Sequence, residues 1–102
     1  MGDEFIASLG GSKSVPIEAL AEELSATGLC VIVSVTPTMA QFRWASSPRR
    51  EHWPEDVTLG PFQGDLLLTI HSGTGQQRDH FVEAVEVAAS KLLSEAVTFE
   101  EL

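Results

Sequence analysis

The chain has one cysteine, no tyrosine, and only six Lys and Arg residues against fifteen Asp and Glu. Each scarcity excludes something. Cys30 alone rules out an internal disulfide and fits a reducing, cytoplasmic setting. A formal net charge of −9 would repel phosphate backbones, which argues against a nucleic-acid partner. No apolar run approaches the ~20 residues that span a bilayer, so no membrane partner is expected. The first residues, MGDEFIASLGG, carry two acids and no base, unlike a secretory signal. Ile6 stands where a myristoylation motif needs Ser or Thr. The apolar share of 43% is that of a globular chain. No internal repeat or long linker divides it, so residues 1–102 read as one compact domain.

Charge is unevenly spread. Between Ser25 and Arg50 there is no acid, while Arg43, Arg49 and Arg50 give that stretch +3 and leave −12 for the rest. Half of the positive charge thus lies close to the two tryptophans, Trp44 and Trp53.

Periodicity outlines the elements. Residues 3–9, DEFIASL, alternate Phe5, Ala7 and Leu9 on one face as a short strand, although a two-turn helix capped by Asp3 also fits. Pro16 suits the first position of a helix that places Ile17, Leu20, Ala21 and Leu24 on one face and ends at Gly28. Residues 29–35, LCVIVSV, are almost continuously apolar and β-branched, the pattern of a central strand covered on both sides. After Thr36-Pro37-Thr38, AQFRWA alternates, with Ala40, Phe42 and Trp44 on one face. Val57 and Leu59 form a short strand, GPFQGD a turn, and LLLTI a further strand. Thr74 and Gln77 are spaced as a capping box for a last helix whose apolar sector holds Phe81, Val85, Ala88, Leu92 and Ala96. Phe99 continues that sector if the helix persists. The order (β)-α-β-β-β-β-α predicts an α+β two-layer sandwich: a four- to five-stranded, mainly antiparallel sheet with both helices on one face. The other face would carry Gln41, Arg43 and Thr69 with a few apolar residues such as Leu67.

No arrangement of residues names a reaction. His52, His71 and His80 match no metal-site spacing, so neither metal nor cofactor is expected. His71, Ser72 and Asp79 are the residue types of a hydrolase without a nucleophile elbow to place the serine. HSGTG, between strand and helix, could aim N–H groups at a phosphate, but it lacks the spacing and lysine of a P-loop. Glu18, Glu22 and Glu23 on the first helix, and Asp79, Glu83 and Glu86 on the second, read as solvent-facing charge. Residues 48–54 place Arg49, Arg50, His52 and Trp53 between two prolines. Arg and Trp are favoured in binding hot spots, and a stiffened loop loses less entropy on docking. The loop reads either as a lid whose arginines balance Glu51, Glu55 and Asp56, or as the anchor of an interface.

The expected function is therefore protein binding without catalysis, by a monomer or homodimer. Its most concrete form is an immunity-type inhibitor that occludes a basic, toxin-like partner through Arg49, Arg50, His52, Trp53, Asp79, Glu83 and Glu86. The alternative is a module that self-associates through an open sheet face or edge strand. A small enzyme built around His71 comes third.

Overall fold

A computed structural model describes residues 3–9, 15–46 and 55–102. Arg49, Arg50, His52 and Trp53 lie outside the described residues. The elements are β1 (Asp3–Ala7), α1 (Ile17–Ala26), β2 (Cys30–Thr36), β3 (Met39–Trp44), β4 (Val57–Phe62), β5 (Asp65–Ile70), α2 (Gly75–Leu93) and β6 (Glu100–Glu101). The sheet runs β2-β3-β4-β5-β1-β6, and every neighbouring pair is antiparallel. The α+β sandwich is thus as expected, with six strands among the described residues rather than four or five.

Alternation decides which side of the sheet is buried. Phe5 and Ala7 on β1, Ala40, Phe42 and Trp44 on β3, Leu59 on β4, and Leu66, Leu68 and Ile70 on β5 all turn inward. The helices close that side. Ile17, Leu20, Ala21 and Leu24 are the buried stripe of α1, as their spacing implies, and Phe81, Val85, Ala88 and Ala89 are that of α2. Phe81 stands edge-on to Phe42 at 5.7 Å and to Trp44 at 5.4 Å between ring centres, which seats α2 on the sheet. The outer face carries half-buried Gln41, Arg43, Leu67 and Thr69.

Local chemistry marks the helix ends. The Thr74 hydroxyl accepts the Gln77 N–H while the Gln77 side chain accepts the Thr74 N–H, completing the capping box. Pro16 stands one residue earlier than expected, as the cap before Ile17, with its carbonyl accepting the Leu20 N–H at 2.9 Å. Gly28, with φ +80°, turns the chain from α1 into β2.

Three expectations need correction. The segment read as a central strand is an edge strand: β2 pairs with β3 alone among the described residues, and Val31, Val33 and Val35 are exposed. The register shifts at Val33, so Ile32 faces Phe42 and Val35 faces Ala40, and the inward set is kept on both sides of the bulge. Second, Gly60, Pro61 and Phe62 of the stretch read as a turn belong to β4 and Asp65 to β5, so only Gln63 and Gly64 reverse the chain. Third, α2 stops at Leu93, where Ser94 turns left-handed with φ 56°. Ala96 is then exposed, and Phe99 is buried from the tail rather than from a continuing helix.

That tail also changes the reading of α2's polar side. The Ser90 hydroxyl accepts the Val97 N–H at 2.9 Å, and the Glu86 carboxylate accepts the Phe99 N–H at 2.8 Å. Glu86 is half-buried, anchoring the segment that becomes β6.

Cys30 begins β2 beneath α1, its thiol 3.7 Å from the Leu24 carbonyl. Burial pushes its pKa from 9.0 up to about 11. The unfolded chain loses this proton first as pH rises, so the contribution is complete below pH 9.0 and is lost as pH climbs through about 11. Urea unfolding across that interval should show a Cys30-dependent fall on the order of 2–3 kcal/mol, absent from Cys30→Ala. Phe81→Ala, which empties the contact with both sheet aromatics, should lose about 3–5 kcal/mol in the same measurement at neutral pH.

Candidate functional site

Two places gather polar or apolar groups in a way that bears on function. The first is the end of the sheet where β3, β4 and β5 meet α2. Asp56 is wholly buried there. Its Oδ2 accepts the Trp44 N–H at 2.9 Å and its Oδ1 accepts the Ser72 hydroxyl. Its backbone continues the ladder past β4, donating to the Phe42 carbonyl and accepting from the His71 N–H, both at 2.7 Å. The Trp44 indole Nε1 donates to the Ser72 carbonyl at 2.7 Å. A side chain at Gly73, where φ is +132°, would place its Cβ 2.6 Å from that indole nitrogen. Asp56, one of three acids that the lid reading offers to the loop arginines, is a buried acceptor that joins two strand ends.

This arrangement separates the residues of the hydrolase reading. The Ser72 hydroxyl is directed at Asp56, His71 Nε2 lies 2.9 Å from the Thr58 hydroxyl, and Asp79 is exposed and hydrogen-bonded to Arg78. Arg78 also reaches Asp3 of β1 at 3.0 Å, so it ties the first turn of α2 to the sheet. HSGTG borders a hollow of about 140 Å³ with Asp3 and Arg78, where the arginine's charge is already met by two carboxylates. His80 is exposed on α2 beside the groove, whereas Cys30 is buried beneath α1. Among the described residues no three His, Cys, Asp or Glu side chains group to hold a metal ion. No helix among them is long and apolar enough to cross a membrane.

The second place is the groove between α1 and α2, about 430 Å³ in volume. Leu29, Ala84, Val87 and Ala88 give it an apolar lining, and Glu23, Glu83, His80 and Lys91 stand around it. Lys91 meets Glu23 across the groove at 3.2 Å, an exposed pair worth about 0–1 kcal/mol. A smaller hollow beside it, lined by Leu29, Trp44, Gln76, Gln77 and His80, prolongs the apolar surface toward the first turn of α2.

The three acids of α2 therefore have three different settings. Glu83 is exposed beside the groove, Asp79 is bound by Arg78, and Glu86 holds the tail. Val87 was not singled out from sequence, yet it is 63% exposed beside the apolar lining. The available signal was an apolar residue four positions after Glu83 on an otherwise polar face.

Replacing Asp56 with Ala leaves the Trp44 N–H and the Ser72 hydroxyl without their acceptor. Chemical denaturation should show a loss of about 2–4 kcal/mol, whereas Val87→Asp should stay within about 0.5 kcal/mol of the native chain. No protein-family model, curated protein or solved structure matches this chain.

Proposed function

We propose that this chain is a cytoplasmic protein-binding domain whose helical layer docks a basic partner protein, with the groove between α1 and α2 receiving apolar side chains of that partner. The observation that supports the reading best is the pairing of an apolar groove with acidic helices. Leu29, Ala84 and Val87 are open to a partner, and the two helices carry six carboxylates against two bases. Two of the six, Glu18 and Glu22, are exposed on α1, which has no base of its own.

The physical division of labour is familiar from protein interfaces. Long-range attraction between an acidic surface and a basic partner speeds encounter and selects the partner's charge. Apolar contact inside the desolvated centre then holds the complex, because exposed ion pairs at the rim contribute little. An immunity-type inhibitor is the most concrete form: the acidic helices enter the cationic cleft of a toxin-like enzyme and exclude its substrate. Such an inhibitor acts by occlusion and needs no catalytic group of its own.

The test uses a cationic, amphipathic helical peptide of lysine and leucine as a probe, titrated calorimetrically at low and high salt. The native chain should bind it, and salt should weaken the complex. Val87→Asp should weaken binding about tenfold or more. Glu22→Lys with Glu83→Lys should weaken it and flatten the salt dependence. Unchanged affinity in these variants, with native circular dichroism, would remove the groove from the interface.

A further inference from the structure

We propose that two copies of this chain associate by antiparallel pairing of their β2 edges, joining two six-stranded sheets across a two-fold axis. This goes beyond the reading above and uses a different surface.

The two ends of the sheet are built differently. At one end β6 is two residues long, and both are glutamates. Shortness and like charge are devices that keep a sheet edge from pairing with another copy. At the other end β2 is seven residues long, CVIVSVT, with no charged residue and no proline. Val31, Val33 and Val35 are 39%, 36% and 38% exposed along it. Four of its seven residues are β-branched valine or isoleucine, which suits a strand with neighbours on both sides. Its sequence reads as a central strand, and pairing with a second copy makes it one.

Charge selects a second copy as the occupant. In a chain of net charge −9, most surfaces repel the same surface on another molecule. Residues 25–46 contain no acid, so this edge can meet its own copy without opposing carboxylates on the paired strands. An isologous contact also places the same uncharged valines on both sides of the axis. The opposition comes from α1, which packs over β2 and β3 and carries the exposed Glu18 and Glu22, whereas Glu23 is paired with Lys91 of α2. A single strand pair buries less than the roughly 800 Å² per partner of a standard stable interface, so the dimer should be weak and reversible.

The experiment is sedimentation equilibrium over a wide concentration range, at low and high salt. The native chain should shift from monomer to dimer, with a dissociation constant on the order of 10–100 µM. Added salt should tighten the dimer, because it screens the α1 glutamates, whereas it loosens a complex with a cationic peptide. The opposite salt responses keep the failure of one proposal distinguishable from the failure of the other. Val33→Lys with Val35→Lys places like charges on the edge and should raise the dissociation constant about tenfold or more. Glu100→Lys with Glu101→Lys, at the far edge, should leave it unchanged. Hydrogen exchange should show β2 amides gaining protection with concentration while those of β6 do not. A monomeric mass throughout would overturn the proposal. So would a dimer that survives the two lysines in β2 in a chain with native circular dichroism.

Discussion

Asp56 is the point on which much of the tertiary arrangement turns. A carboxylate taken out of water must have its lone pairs met, and here the backbone of Trp44 and the hydroxyl of Ser72 meet them. Trp44 is thereby held at the end of β3, with its indole nitrogen bonded to the Ser72 carbonyl. The indole presents its ring to Phe81, and Phe81 meets Phe42 one turn of the pleat away. One buried acid thus sets where α2 sits on the sheet. The seat of α2 beside α1 in turn defines the groove, since Ala84, Val87 and Ala88 face Leu29 and Thr27 across it.

The same placement divides the acidic residues by role. Carboxylates identical in chemistry and helical spacing do different things once the tail folds back. Glu86 and Ser90 become acceptors for the backbone of Val97 and Phe99, because a helix that ends at Ser94 must return its chain along the outer turns of α2. Asp79 and Asp3 share Arg78, which joins the start of α2 to β1. What remains on the helical surface is Glu83 and Glu23, which border the apolar groove, and the exposed Glu18 and Glu22 of α1. The proposed docking of a basic partner uses those acids, while the proposed pairing of β2 uses a strand that carries none and must overcome the charge of α1. On the two proposals together, a strongly acidic chain would bind an unlike partner through its helices and its own copy through the uncharged β2 edge.

Much of this architecture was legible in the order of residues, where the cause is local. The stripe Ile17, Leu20, Ala21 and Leu24 follows from helical period, and the Thr74–Gln77 box from the need to satisfy N–H groups in a first helical turn. Alternation in β3 and β5 likewise named the buried face, including Phe42, Trp44, Leu66 and Leu68. The β2 segment shows where such reasoning stops. A run of valine and isoleucine reports a preference for extended structure, but whether a strand is central or at an edge depends on which strands lie beside it. The charge of Glu86 similarly reports solubility in water and nothing of a tail thirteen residues away.

The amino-acid sequence by itself determined the acidity, the number of helices, their buried stripes and the α+β class, because each depends on composition or on contacts within a few residues. Only the tertiary structure decided that β2 lies at the edge, that Asp56 is buried, that Glu86 holds the tail, and that Val87 stands beside an apolar groove. Those outcomes depend on which elements lie side by side, and that is settled by the joint packing of both helices on one sheet face rather than by any single segment.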